Sequence, residues 1–380
     1  MNIGLLGCGV VGGGVLALTQ DRSDIRVTRV LVRRPKEGLP EGAATCDVQD
    51  ILNDAAIDTV VEVMGGLHPA YEYVTAAMER GKHVVTANKA LIAAYYRELT
   101  ALAREKGVAL RYTAAVGGGI PWLVNLARCK RLDTVCAVGG IMNGTTNFIM
   151  DAMHKSPVDF PVILKEAQEL GYAEADPSAD IDGDDIRRKL CISANIAFDT
   201  VLDEETIPTF GIRTVTAADI AAFQAHGFVC KLLAAAERTD RGVCAYVEPT
   251  LVDCGEPEAA VPANYNLIGY VGEQVGRQSF FGQGAGRFPT ASNVVQDCLT
   301  ILAGDKSFYT DKAAAAALDG SAEAHPYYVR TAAPDDFLRS VTADDWGAGV
   351  ITGAVNTSDM LAWARRQLAV DPSCFIAGIR

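Results

Sequence analysis

The first fifteen residues, MNIGLLGCGVVGGGV (Met1–Val15), decide the reading of the fold. The apolar run NIGLLG at 2–7 stops at glycines, as a buried parallel strand does. Gly7, Gly9 and Gly12 then follow the spacing G-x-G-x-x-G, and the pattern predicts a helix over about 10–19. The first glycine permits a tight turn, the second lets backbone approach a pyrophosphate, and the third lets helix and strand touch. The helix start, at Val10 and Val11, offers free N–H groups and a partial positive charge to phosphates. A plain glycine-rich turn is the alternative, but the strand–turn–helix context favours dinucleotide binding.

Outward from this unit, RVTRVLVR (26–33), IDTVVEVM (57–64) and HVVT (83–86) read as further strands. Helical stretches at 69–80 and 89–106 lie between them, which predicts βαβ units and a parallel sheet. Arg33 and Arg34 end the second strand, where an NAD-selective fold carries an acid for the ribose 2′-hydroxyl. A guanidinium pair suits a 2′-phosphate, so NADP is favoured and NAD remains possible. The other reading is a solvated basic pair before Pro35.

The net charge of −13, with no basic stripe, argues against nucleic acid and anionic membranes as partners. No run of 18 apolar residues suggests a membrane span. The first residues lack the basic start of a signal peptide. Ten scattered cysteines with no CxxC pair fit reduced, mostly buried thiols in a cytoplasm rather than a zinc site.

Three segments carry candidate chemistry. Lys89, in VTANKAL, stands at a strand end and a helix start, the edge where open α/β sheets bind ligands. The helix field there lowers an ammonium pKa, which suits an acid–base group, although a surface lysine reads equally well. GYAEADPSADIDGDDIRRK (171–189) crowds six carboxylates between Glu174 and Asp185. A calcium loop lacks its EF-hand register, which leaves a solvated loop or a pocket for a substrate ammonium. Asp185 and Lys189 stand i, i+4 on one helix face ahead of the apolar LCISANIAF. Finally, AAVGGGIPW (114–122) and NGTTNF (143–148, with Gly144 and Thr145) offer backbone N–H groups or hydroxyls for a carboxylate; each also reads as a turn or hinge.

Together GLLGCGVVGGGV, VVEVMGG, VVTANKALIA, AAVGGGIP, GIMNGTTNFI, EAQELGYAEADPSADIDGDDIRRKL, GIRTVTAADI and GAGRFPTAS resemble the homoserine dehydrogenase family over roughly residues 1–305. The resemblance implies NAD(P)-dependent interconversion of L-aspartate 4-semialdehyde and L-homoserine, by a homodimer. It implies an α/β fold: a Rossmann-type doubly wound parallel sheet at 1–125, completed by 285–310. An α+β substrate and dimerisation domain at 126–284 and a small βαβαβ ACT-like tail at 320–380, one strand short of βαββαβ, would follow. By motif, Lys189 matches the catalytic lysine and Lys89 the lysine near nicotinamide and substrate. Glu174 and Asp185 match acids at the substrate, with Asp180 a further candidate. Gly171 and Gly286 match glycines near the cofactor. The family's glycine loop often encloses Na⁺ or K⁺ on backbone carbonyls, here Val116, Gly118 and Ile120. Its preceding glutamate is replaced by Thr113, which weakens that site. The rival readings are another amino-acid dehydrogenase on this scaffold and a non-catalytic nucleotide-binding metabolite sensor.

Overall fold

The apolar run after Met1 forms the strand Asn2–Leu6 (β1), and five more short runs join it. These are Arg26–Leu31 (β2), Ala44–Thr45 (β3), Thr59–Glu62 (β4), His83–Thr86 (β5) and Leu110–Arg111 (β6). They pair in the order β3-β2-β1-β4-β5-β6, every pairing parallel. This is the dinucleotide-binding order of the doubly wound sheet, whose ligand crevice opens where the winding reverses, between β1 and β4. Leu5 and Leu6, Val60 and Val61, and Val84 and Val85 are fully buried neighbours, so the central strands β1, β4 and β5 are apolar on both faces, as a covered parallel sheet requires.

The protein is described by a computed structural model covering residues 1–34, 38–306 and 314–380. It divides into two compact units: 1–132 with 195–201 and 282–314, and 133–194 with 202–281 and 315–380. In the first unit the helix Arg287–Leu302 returns to the glycine helix Val10–Thr19. A Cβ on Gly14 would lie 2.8 Å from the Ala291 Cβ, so the two helices meet at a small residue. The end of the expected completing segment, 307–310, lies outside the described residues. The single helix expected over 89–106 is two, Lys89–Ala94 and Tyr96–Lys106. Tyr95 leaves helical geometry between them and packs its ring against Tyr71, centroids 4.2 Å apart.

The second unit is built on a mixed sheet. Its strands are Val135–Ile141 (β7), Phe228–Thr239 (β8), Gly242–Asp253 (β9), Tyr265–Gly272 (β10), Gly276–Gln283 (β11), Tyr327–Arg330 (β12), Thr342–Asp345 (β13), Val350–Thr352 (β14) and Phe375–Ile379 (β15). The order is β11-β10-β7-β8-β9-β15-β12-β14-β13. The helices Gly144–Lys155 and Ala217–Ala225 pack on β8, and Ile149, Met150 and Phe223 are among their buried residues.

The tail departs from the expected separate βαβαβ unit in two ways. It continues this sheet, because β15 pairs in parallel with β9 at Thr250 and Leu251. It also holds an extra strand, β13, so its principal elements run β-α-β-β-α-β with helices Asp336–Val341 and Thr357–Val370. β13 is TADD with all four residues exposed, so no apolar alternation marks it in the sequence. Among the described residues no helix is long and apolar enough to cross a membrane.

Candidate active site

The glycine turn of the first unit has the geometry its spacing predicts. Gly7 takes φ +98°, a left-handed backbone that side chains rarely adopt. A Cβ on Gly12 would stand 2.3 Å from the Gly7 carbonyl oxygen, so only hydrogen fits there. Gly9, the residue before the helix, has nothing within 4 Å of its Cβ position, and Val10 beside it is exposed. Val11 is half-buried on the same first turn. This open, backbone-lined helix start fits a dinucleotide pyrophosphate. Arg33 and Arg34 are exposed just beyond β2. Gly286, at φ +123°, opens the helix Arg287–Leu302, and the Arg287 guanidinium donates to the Gly13 carbonyl at 3.1 Å.

Lys89 is the half-buried first residue of its helix, and Asn88 caps that helix by accepting from the Leu91 N–H at 3.1 Å. Behind it lies a residue that sequence reading passed over, Glu62 at the end of β4. Its carboxylate, fully buried, accepts from the Met64 and Gly65 N–H groups at 2.7 and 3.2 Å and from the Thr86 hydroxyl at 2.6 Å. The Thr86 hydroxyl accepts in turn from the Asn88 N–H at 2.9 Å, and the Asn88 amide donates to the Gly66 carbonyl at 2.7 Å. One hydrogen-bonded chain therefore ties the loop after β4 to the turn that presents Lys89. Burial pushes the Glu62 carboxyl above its usual range, although these donors favour the ionised form. The available signal was a lone acid closing an apolar strand in VVEVMGG.

In the second unit Lys189 and Asp185 form the ion pair that their spacing predicts, Nζ to Oδ2 at 2.8 Å, with both residues buried. The ammonium also donates to the Met142 carbonyl at 2.7 Å. The hub of the cluster is Asn143, the first residue of NGTTNF, whose role no local pattern marks. Its amide donates to Asp185 Oδ2 at 2.8 Å and to Asp180 Oδ1 at 2.7 Å. Its Oδ1 accepts from the Thr146 N–H at 2.8 Å and so caps the helix Gly144–Lys155. Burial, and then the Asp185 charge, push the Asp180 carboxyl above its usual range.

Gly144 and Thr145 form the first turn of that capped helix. The Gly144 Cβ position is blocked by the Asn264 carbonyl at 2.6 Å, and the Thr145 hydroxyl donates to the Tyr172 carbonyl at 2.6 Å. That bond fixes the loop carrying Gly171, at φ +75°, and the exposed Glu174. Glu174 is held by its own carbonyl, which accepts from the Gln168 amide at 3.0 Å. The second unit thus joins Lys189, Asp185, Asp180 and Asn143 directly, and Thr145, Gly171 and Glu174 through one loop.

The predicted cation loop lies in the first unit. The carbonyls of Gly118 and Ile120 both accept from the Asn293 amide, at 2.6 and 3.0 Å. Thr113 turns its hydroxyl and its N–H onto the Asp297 carboxylate, at 2.7 and 2.8 Å.

Comparison with known proteins agrees with this geometry. A model of the homoserine dehydrogenase NAD binding domain matches residues 7–113, and the homoserine dehydrogenase model matches residues 121–299. A homoserine dehydrogenase of Synechocystis is 42% identical over 317 residues, covering 80% of this chain and 73% of the relative. The crystal structure of a homoserine dehydrogenase from Thiobacillus denitrificans superposes with a TM-score of 0.89 at 34% identity, covering 100% of this chain and 98% of that one. A hyperthermophilic archaeal homoserine dehydrogenase in complex with NADPH shares the fold, with a TM-score of 0.67 at 22% identity, covering 80% of this chain and 98% of that one. The glycine turn, the buried lysine–aspartate pair and these matches lead to one conclusion: the chain belongs to the homoserine dehydrogenase family, oxidoreductases of amino-acid biosynthesis.

Proposed function

We propose that Lys189 is the acid–base group of this dehydrogenase, that Asp185 orients it, and that NADP(H) is the preferred cofactor. The observation that carries the reading is the buried Nζ–Oδ2 contact of 2.8 Å, continued through Asn143 to Asp180. An ammonium has three N–H donors, and two are directed to Asp185 and the Met142 carbonyl. The third is the one available to a substrate oxygen. When bound, the nicotinamide exchanges a hydride with the carbon that bears that oxygen. In the reductive direction the Lys189 ammonium stabilises the alkoxide that develops on the L-aspartate 4-semialdehyde oxygen and delivers its proton. In the oxidative direction the neutral amine takes the hydroxyl proton of L-homoserine. Lys89 assists from the start of its own helix.

Substrate binding follows from charge. Glu174 and Asp180 suit the substrate ammonium, and the first turn at Gly144 and Thr145 suits its carboxylate. The glycine turn, with Gly171 and Gly286, serves the cofactor. Arg33 and Arg34 favour a 2′-phosphate, because a guanidinium pairs with phosphate oxygens through two parallel bonds.

We assign the active form as a homodimer in the cytoplasm. The exposed β10–β11 edge carries Val271, Val275 and Phe281, apolar side chains that a second copy would cover. Sedimentation showing monomer at micromolar concentration overturns that assignment.

Oxidation of L-homoserine with NADP⁺ and NAD⁺ in parallel tests substrate and cofactor together. The expected result is turnover with both and a kcat/KM at least ~10-fold higher with NADP⁺, the value of one charge-assisted phosphate contact. No turnover with either cofactor defeats the proposal, and equal values defeat the role of the two arginines.

A further inference from the structure

The loop 116–121, VGGGIP, is built into the first unit from several sides. Gly118 takes φ +55°, and a Cβ there would stand 2.4 Å from the Gly284 carbonyl oxygen. The Gly119 N–H donates to the Gln283 carbonyl at 3.0 Å. This packing leaves the Gly118 and Ile120 carbonyls converging on the helix Arg287–Leu302. Converging buried oxygens need a positive partner, either N–H donors or a cation.

Asn293 supplies the donors. Its amide carries two N–H groups, and it reaches the two carbonyl oxygens at 2.6 and 3.0 Å from a buried position. That nitrogen lies within hydrogen-bond reach of both oxygens, where it takes the place of a cation shared between them. The residue at the family's glutamate position is also committed elsewhere. The Thr113 hydroxyl donates to Asp297, whose carboxylate also accepts from the Thr113 N–H and from the Arg111 guanidinium at 3.0 Å. Asn293 and Asp297 stand i, i+4 on one helix face, so a single helix clamps both ends of the 113–120 segment. The donor set present does not fit Na⁺ or K⁺.

We propose that Asn293 replaces the monovalent cation in this chain, acting as a covalently attached donor that holds the loop and makes the enzyme independent of Na⁺ and K⁺. The proposal rests on the family reading only in expecting a cation at this loop. The orientation of the amide is the crux, because nitrogen and oxygen are told apart by their partners. The reverse orientation would bring Oδ1 against two carbonyl oxygens and would be stable only around a cation.

The test compares NaCl, KCl and choline chloride at equal ionic strength, reading both the thermal unfolding midpoint and the rate of L-homoserine oxidation. For the unsubstituted protein the expected result is one midpoint in all three salts and rates within about twofold. A saturable rise of the midpoint with Na⁺ or K⁺, absent with choline, overturns the proposal. Asn293→Ala removes both donors, and its midpoint should fall by ~2–6 °C and be partly restored by Na⁺ or K⁺ alone. An unchanged midpoint in that variant also overturns it. Should Asn293→Ala fail to fold, Asn293→Asp, which puts a carboxylate against the two carbonyls, should gain a midpoint that depends on Na⁺ or K⁺, and indifference to salt there counts against the proposal. The midpoints need no turnover, so absent activity would defeat the functional reading and leave this test standing.

Discussion

At the residue scale, Asn143 decides more than any sequence pattern announces. One amide group meets two carboxylates that lie 37 and 42 positions further along the chain, and its oxygen caps a helix. Losing a hydrogen bond to a charged group costs ~1.5–3 kcal/mol, so Asn143→Ala should lower kcat by ~10–100-fold. The cap adds ~1 kcal/mol of lost stability. Asn143→Asp separates the two effects. It keeps the oxygen that caps the helix Gly144–Lys155 and loses only the two amide donors. It sets a third acid beside Asp180 and Asp185, so kcat should stay low. Recovery of kcat in that variant would show that only the cap matters. Lys189 and Asp185 were legible because a four-residue spacing on an apolar helix is a local fact. Asn143, Glu62 and Asn293 were not, because their partners are brought to them by the fold.

At the element scale, the glycine turn was legible down to individual atoms. A turn, a close approach and a packed helix each impose a glycine at a fixed offset. Gly12→Ala would place a Cβ 2.3 Å from the Gly7 carbonyl oxygen, and backbone must move to relieve it. The Kd for the dinucleotide should rise by ~10-fold or more, which equilibrium binding would read, and an unchanged Kd would remove the turn from the cofactor site. The buried strands announced themselves as short apolar runs. The helix Gly144–Lys155 did not, because its first turn, GTTN, is polar, β-branched and glycine-led, a composition that reads as a loop. The exposed β13 carried no apolar period at all. Sequence pattern reports burial, so elements that bury little, or that open on a polar first turn, escape it.

At the scale of the whole molecule, acid sensitivity is built into the second unit. His154 is held neutral, with its Nε2 accepting from the Cys230 N–H at 2.9 Å. Burial, and then the charge of Lys231, lower its pKa from 6.5 to about 4. The unfolded chain therefore binds a proton that the folded chain refuses between those two values. Stability should fall by about 2–3 kcal/mol as pH drops through that window, and this group adds no further loss below it. Urea unfolding at about pH 7 and about pH 5 reads the slope, which should be shallower in His154→Gln. An equal slope in that variant would assign the acid sensitivity elsewhere. The role proposed for the amine at position 189 is tested most directly by Lys189→Ala. With NADP⁺ affinity measured alongside, kcat for L-homoserine oxidation should fall by at least ~100-fold while cofactor binding is retained. A kcat close to that of the unsubstituted protein would contradict the account.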